Sequence, residues 1–275
     1  VTTPNVTLNN GVVIPQIGFG VYKVPDEETR AAVASALDLG YRSIDTAALY
    51  GNEAGVGTAI AESGLARDDL FITSKVWNTE HGFDKTLAAF DRSMELLGLD
   101  TLDMFLIHWP CPRQDLYRET WRALERLYAD GRVRTIGVSN FTPTHLTRLL
   151  ETAEVVPAIN QIELHPALPQ HEAVAFHREH GIATEAWSPL ARGKGLSDPE
   201  IARIAARVDR SPAQVILRWH LQQGRIVIPK SVTPSRMAEN LALDDFTLTS
   251  DDLALIDTLG REDGRVGSHP DRVEP

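Results

Sequence analysis

The chain reads as an α/β protein: a (β/α)8 TIM barrel with a short N-terminal β-hairpin and additional helices near its C-terminus. Three features lead to that fold. From Gln16 onward, eight short strand-like runs alternate with helix-patterned runs, with no break in the order. The strand runs are almost wholly apolar, as expected of strands covered on both faces. The 275 residues contain no linker, low-complexity segment or composition shift. That length suits one closed barrel, so residues 1–275 are expected to form a single domain.

The elements follow in order. Val6–Leu8 and Val12–Ile14 flank Asn9-Asn10-Gly11, a hairpin signal. Gln16–Gly20 is the first barrel strand. Its Gly18-Phe19-Gly20 is not a dinucleotide fingerprint, because Lys23 stands where the third glycine belongs and no helix starts at once. Helix Glu27–Leu39 stops at Gly40. The later strands are Arg42–Asp45, Leu70–Val76, Leu102–His108, Val133–Ser139, Ala158–Ile162, Ile182–Ala186 and Ile226–Ile228. The intervening helices are Glu53–Ser63, Phe83–Leu97, Leu116–Ala129, Thr144–Thr152, His171–His180, Pro199–Val208 and Pro212–Gln223. Ser235–Leu241 and Ser250–Leu259 follow the last strand.

Composition narrows the function. A net charge of −11 with no Lys/Arg block argues against a nucleic-acid partner. The single cysteine, Cys111, excludes a disulfide framework or a multi-cysteine metal site and suits a reducing cytoplasm. VTTPNVTLNNG lacks the basic-then-apolar pattern of a signal peptide. No apolar run approaches the roughly 18 residues of a membrane span. A cytoplasmic protein without a membrane or nucleic-acid partner is expected.

In such barrels the chemistry lies at the C-terminal ends of the strands. The second strand ends at Asp45 and is followed by Tyr50. The third ends at Lys75, the fourth at His108, the fifth at Ser139-Asn140. The sixth ends near Gln161 and Glu163, the seventh near Trp187-Ser188, the eighth at Pro229-Lys230-Ser231. Each residue alone has an ordinary explanation: a capping Asp, a half-buried Tyr, a surfacing Lys, a satisfied core His. Together they form one constellation. A buried phenol resists ionisation; a neighbouring Lys75 ammonium lowers its pKa, and Asp45 holds that ammonium in place. A phenol tuned in this way protonates an oxygen that is gaining charge, with His108 as a further donor. None of these groups donates a hydride, so a redox reaction needs a cofactor. After the eighth strand a helix opens at Thr233-Pro234. Its N-terminal amides, with Lys230, Ser231 and Arg236, form a phosphate site on an otherwise acidic protein.

Three stretches carry a resemblance along the whole chain. They are Gly40-Tyr41-Arg42-Ser43-Ile44-Asp45-Thr46-Ala47 with Glu53 and Gly57; Ile136-Gly137-Val138-Ser139-Asn140-Phe141; and Ile228-Pro229-Lys230-Ser231 with Arg236 and Glu239-Asn240. The sequence resembles the aldo-keto reductases, and especially the bacterial 2,5-diketo-D-gluconate reductase branch. The resemblance implies NADPH-dependent reduction of aldehydes and ketones, including diketones or sugar-derived carbonyls. A monomer is expected. It implies Asp45, Tyr50, Lys75 and His108 as the catalytic set, with Tyr50 the general acid. It places the nicotinamide carboxamide on Ser139, Asn140 and Gln161, the nicotinamide ring on Trp187, and the pyrophosphate beside Ser188 and Leu190. Lys230, Ser231 and Arg236 then hold the 2′-phosphate, Glu239 and Asn240 reach the adenine, and Gly20, Val21, Val232 and Thr233 complete the cofactor site. Tyr22, Trp77, His108, Trp109 and the C-terminal tail wall the substrate pocket. Position 187 is Trp where Tyr is common in the family, and an indole stacks at least as well. The loop SPLARGKGLSD and the tail after Leu259 are short, so a less enclosed cofactor and an open pocket are expected.

Two alternatives remain at this stage. One is a nicotinamide-binding regulatory protein on the same fold, as the potassium-channel β subunits are. The other is a barrel isomerase or lyase using Lys75 as a Schiff-base nucleophile, which requires a neutral lysine. No metal is expected: His177 and His180 share a helix spacing, but no carboxylate completes a set with them or His171, and a solvated helix face explains them. Cys111, just past the fourth strand, is expected to be accessible but unactivated. His145, His165, His220 and His269 have no motif around them.

Overall fold

The computed structural model describes residues 4–275. The N-terminal hairpin pairs β1 (Asn5–Thr7) with β2 (Val13–Pro15), Val6 opposite Ile14. The barrel strands are β3 (Phe19–Gly20), β4 (Ser43–Asp45), β5 (Phe71–Val76), β6 (Leu102–Ile107), β7 (Val133–Ser139), β8 (Ile159–Glu163), β9 (Ala183–Trp187) and β10 (Ile226–Val227). They run in sequence order, every neighbour parallel. The segment ahead of β3 closes the ring: Ile17 bridges Val227, and Gly18 N donates to Val227 O at 2.8 Å. The helices are α1 (Asp26–Leu39), α2 (Glu53–Glu62), α3 (Phe83–Leu97), α4 (Tyr117–Ala129), α5 (Pro143–Leu150), α6 (His171–Glu179), α7 (Pro199–Val208), α8 (Pro212–Gln222), α9 (Pro234–Leu241) and α10 (Ser250–Asp257).

Each expected element is present, with shifts at the ends that have local causes. The first strand is shorter than Gln16–Gly20 as a regular ladder, because it pairs with β10 through one bridge on that side. The seventh moves one residue later and takes in Trp187. Helix α5 starts at Pro143 because Thr142 and His145 form a reciprocal capping box. The stretch after β4 is a short 3₁₀ turn, Ala48–Tyr50, closed by Gly51.

Strand alternation sorts the side chains into two layers. Ile44, Ile72, Phe105, Ile107, Ile136 and Val138 join the cluster packed under the helices. Phe71, Met104, Leu106 and Ile159 belong to a second cluster with Leu8 and Ile14 of the hairpin and Ile226 of β10. The hairpin therefore plugs the N-terminal mouth of the barrel. Its tip is tied there by Asn9 Nδ2 to Pro157 O and Asn10 Nδ2 to Arg134 O, both 3.1 Å. Counting in twos from the inward positions leads to the other mouth: Phe71 to Lys75, Met104 to His108, Ile159 to Gln161 and Glu163. The same period that builds the apolar floor aims the polar residues into the opposite opening. Among the described residues, no helix is long and apolar enough to cross a membrane.

The first signature stretch also contains residues that serve packing. Glu53 on α2 is buried and accepts from Ser74 Oγ at 2.5 Å, tying the helix to the outer face of β5; burial pushes its carboxyl above the ordinary range. Gly57, one turn later, lies against the end of α3, where an added Cβ would stand 2.3 Å from Leu97 O. Gly57→Ala must push the two helices apart. It should cost about 1–3 kcal/mol, seen as a lower urea midpoint with an unchanged slope. A midpoint equal to that of the parent protein would show that α2 and α3 are not held at this distance.

Candidate active site

At the C-terminal mouth of the barrel is a cleft of about 820 Å³, measured out to open solvent. Gly20, Tyr22, Asp45, Tyr50, His108, Trp109, Ser139, Asn140, Gln161, Trp187, Ser188 and Lys230, all named from the sequence, line it. Gly267 and Ser268 of the expected tail join them, as do Leu49, Arg192 and Ile228, which were not foreseen as lining residues.

The innermost group is Lys75. It is fully buried, and its Nζ donates to Asp45 Oδ1 at 2.7 Å and to Thr46 O at 2.9 Å. Burial works against the ammonium, but Asp45, Tyr50 and Glu185 outweigh it, and the Lys75 pKa stands above the ordinary lysine value. A lysine so charged is no Schiff-base nucleophile. Tyr50 lies over it, with Nζ 5.3 Å from the ring centroid. Its ring also packs against Tyr22 at 5.1 Å and edge-on to His108 at 5.7 Å.

The acidity of Tyr50 departs from the expectation. Burial raises its pKa, Lys75 lowers it, and burial wins, leaving the phenol at about 12. Lys75 limits the rise without reversing it. The group is thus a protonated donor throughout the neutral range. His108 is held well below its usual pKa, first by burial and then by the charge of Lys75 and by His81. It is neutral, a donor that does not compete for the proton.

Around this centre the polar residues hold one another. Ser139 Oγ donates to Gln161 O at 2.8 Å. Asn140, at φ 64°, donates from Nδ2 to His108 O and accepts at Oδ1 from Trp187 Nε1 at 2.8 Å. The indole at position 187 therefore has a polar anchor of its own. Gln161 Nε2 donates to Asp45 Oδ2 at 2.7 Å and to Glu185 Oε2 at 2.8 Å. Glu185 was missed because it sits inside an apolar strand rather than at its end; its parity with Trp187 was the available signal.

Not every candidate faces the cleft. Val21 is fully buried and contributes its backbone, its N–H donating to Asp45 O at 3.1 Å. Trp77 packs edge-on against His108 at 5.2 Å. Leu190 packs on the core. At the start of α9, Lys230, Val232, Thr233 and Arg236 are exposed, and Ser231 Oγ shapes the turn by accepting from Thr233 N. Asn240 is buried. The Glu239 carboxylate is engaged by Ser211 Oγ ahead of α8 rather than left free.

The metal-type residues stay apart, and no group of three His, Cys, Asp or Glu among the described residues could hold an ion. His177 is not on a solvated face. It is buried between Asn160 and Thr184, both 2.9 Å away, and burial lowers its pKa to about 4. Cys111 is buried rather than accessible, and burial and Glu274 push its thiol up to about 12.

The tail corrects the expectation of an open pocket. Glu163, at the end of β8, accepts from His165 Nε2 at 2.9 Å, Val266 N at 2.6 Å and Gly267 N at 2.9 Å. Burial opposes its charge, but these donors prevail and its pKa lies below the ordinary value. The clamp draws Gly267 onto Trp187, so close that a Cβ there would stand 2.3 Å from the indole.

Residues 16–261 match the model of the Aldo/keto reductase family. The chain belongs to that family. It is 53% identical over 269 residues to an aldo-keto reductase of Mycolicibacterium smegmatis, covering 98% of this chain and 97% of that protein. It is 51% identical to the glyoxal reductase of Bacillus subtilis, over 98% and 96% of the two chains. A variant of the protein Gox0644, solved in complex with NADPH, superposes with a TM-score of 0.95 at 47% identity over the full length of both chains.

The clamp on the tail is open to test. Glu163→Ala leaves two amides and His165 without their acceptor. Hydrogen bonds to a charged group are worth about 1.5–3 kcal/mol each, so the tail should open at least about tenfold more often. Trypsin cleavage at Arg265 should accelerate by that factor in the folded protein. An unchanged rate would mean that the tail is held elsewhere.

Proposed function

We propose that the chain reduces small aldehydes and 1,2-dicarbonyl compounds, with Tyr50 as proton donor. The reaction class follows from the family: NADPH-dependent reduction of a carbonyl to an alcohol. The observation that carries the residue assignment is the meeting of Asp45, Lys75, Tyr50 and His108, from three strands and one turn, beside a single cleft.

The residues present fit NADPH. Ile228 O lies 3.1 Å from where a Cβ on Gly20 would stand, leaving bare backbone beneath the cleft. Trp187 offers a face for a flat ring, Ser139, Asn140 and Gln161 lie beside it, and Lys230 and Arg192 bring positive charge to the same cleft. Lys230, Ser231 and Arg236 would hold the 2′-phosphate, with Val232 and Thr233 supplying backbone there. Glu239 and Asn240 would support the adenine end, Ser188 and Leu190 the pyrophosphate. When bound, NADPH supplies the hydride.

The chain's own part is the proton. The substrate oxygen sits between Tyr50 and neutral His108, which donates to it without accepting the proton in exchange. As that oxygen gains charge, the Tyr50 hydroxyl transfers its proton to it, and Lys75 faces the phenolate left behind. Asp45 keeps Lys75 charged and in place. Tyr22, Trp109 and the clamped tail narrow the opening, with Trp77 behind His108, and this favours a small substrate; the glyoxal reductase relative supports the same reading. The reading takes residues 1–275 as one domain. It also takes the protein as a monomer, since one chain supplies every group in the cleft, acting in the cytoplasm, which a single buried cysteine suits.

NADPH consumption with glyoxal, methylglyoxal, simple aldehydes and sugar-derived ketones, ranked by kcat/KM, tests the proposal. Dicarbonyls should lead. No turnover with any of them would favour the regulatory alternative.

Two substitutions test the roles. Tyr50→Phe keeps the ring and removes the acid, so single-turnover reduction should fall about 10²–10⁴-fold with NADPH affinity retained. A near-normal rate would make Tyr50 a packing residue and His108 the acid. Arg236→Ala should weaken NADPH about 10- to 100-fold, the equivalent of one charge-assisted hydrogen bond, and leave NADH almost untouched. Equal losses for both cofactors would remove Arg236 from the 2′-phosphate.

A further inference from the structure

The barrel interior holds one more ionisable group than the proposed chemistry uses. Glu185, on β9, is buried, and its side chain points inward beside Gln161. One nitrogen, Gln161 Nε2, donates to Glu185 Oε2 at 2.8 Å and to Asp45 Oδ2 at 2.7 Å. The two carboxyl oxygens therefore lie within the sum of those distances of each other. Lys75 is the cation beside them, and its ammonium is on the far oxygen of Asp45. The groups facing Glu185 are Asp45 from β4, Lys75 from β5 and Gln161 from β8, with Tyr50 beyond Lys75. On its other flank, Ile226 and Val227 of β10 bring no titratable group.

We propose that Glu185 is a positioning residue for the reaction, holding a proton so that it fixes the Gln161 amide while Asp45 remains the single negative charge facing Lys75. Two carboxylates sharing one donor beside one cation do not both ionise readily in a buried site. Asp45 keeps its charge because Lys75 sits on it. Burial and the Asp45 charge push the Glu185 carboxyl up to about 8. With both N–H bonds of Gln161 engaged by carboxyl oxygens, its carbonyl oxygen is what it has left to offer the cleft. That oxygen is a fixed acceptor for an amide N–H, the group a nicotinamide carboxamide presents. The inference rests on the reading of Gln161 as a carboxamide partner. Above about pH 8 a second negative charge appears beside Asp45, and Gln161 and Lys75 are drawn between the two carboxylates.

The sign for stability follows from the raised value. Below the ordinary carboxylate range both folded and unfolded chains hold the proton. As pH rises toward about 8, the unfolded chain has released it and the folded chain has not, so stability falls through that window and then levels.

The test uses the full chain, with Glu185→Gln as a permanent mimic of the protonated form and Glu185→Leu to remove the hydrogen bond. Thermal stability and the Kd for NADPH and for NADH, read by quenching of tryptophan fluorescence, are followed from pH 5 to 9.5. The parent protein should lose affinity for both cofactors about tenfold across pH 8, and Glu185→Gln should abolish both that step and the separate fall in stability between the ordinary carboxylate range and about pH 8. Glu185→Leu should weaken both cofactors equally, by about tenfold at pH 7, the loss of one oriented hydrogen bond. A step near pH 8 that survives in Glu185→Gln, or a Glu185→Leu protein that binds both cofactors as tightly as the parent, overturns the proposal. If the leucine variant does not fold, the glutamine profile alone decides. None of these readouts requires turnover. They therefore stand apart from the Tyr50 assignment, whose failure would appear in hydride transfer and not in cofactor affinity.

Discussion

The buried contact between Lys75 and Asp45 organises the active end of the molecule. An ammonium with no solvent exposure inside a barrel is unstable unless its charge is matched and its donors are used, and removing one member of such a pair typically costs about 3–5 kcal/mol. Asp45 supplies the charge and Thr46 O a second acceptor. The consequences spread outward. The lysine charge holds back the rise of the Tyr50 pKa and helps keep His108 neutral. The second oxygen of Asp45 orients Gln161, and the Asp45 carbonyl receives Val21 N–H and so fixes the chain beside β3. A pair of this kind adds little net stability over apolar packing. Its place in the structure is explained by what it does to the neighbouring phenol and imidazole.

Much of this was legible in the sequence because strand parity is a strict rule. Once Ile72 is taken as outward, Lys75 is inward; the same count carries Met104 to His108 and Ile159 to Gln161. The strand order and the end residues Asp45, Lys75 and His108 follow from the alternation and the strand ends, whereas Asn140 has the parity of the outward Ile136 and Val138 and reaches the cleft through its φ of 64°. Glu185 lies inside an apolar run, two residues before the strand end at Trp187, and so stands outside the end positions where the chemistry is expected. Burial and the Lys75 charge are both legible as opposing influences on Tyr50, but their balance is not: the depth of burial that makes desolvation outweigh the charge is set by the fold. His177 was judged from helix spacing, but its burial depends on Asn160 and Thr184, residues of two strands that helical periodicity does not see.

The tail shows why length is a poor guide to enclosure. The stretch after Leu259 is short, yet Glu163 turns it across the cleft with two directed hydrogen bonds, from the Val266 and Gly267 amides, while His165 donates a third to the same carboxylate. A glycine at position 267 lets the chain meet the Trp187 indole at a distance no side chain allows. The same indole is held from the other side by Asn140. Its orientation is thus set by a loop and a tail distant in sequence, which a local pattern cannot reveal.

Stability and function occupy opposite ends of the barrel, and the backbone records the division. At the closed end the hairpin buries Leu8 and Ile14 against Phe71, Met104 and Ile159. At the open end, Asn140, Ser188, Ala191 and Arg192 adopt left-handed φ values of 64°, 47°, 50° and 54° without being glycine. Such conformations cost of order 1 kcal/mol or more each and persist only where neighbours impose them. Asn140 is imposed by its bonds to His108 O, Ser139 Oγ and Trp187. Ala191 N is tied to Ser188 O, and Gly193 N to Leu190 O, so the loop after β9 is wound tightly rather than left slack. A tight loop needs few residues to bring Arg192 to the cleft beside Lys230. The shortness that suggested a weak clasp is therefore accompanied by strain, and of the strained residues Asn140, Ser188 and Arg192 line the cleft itself.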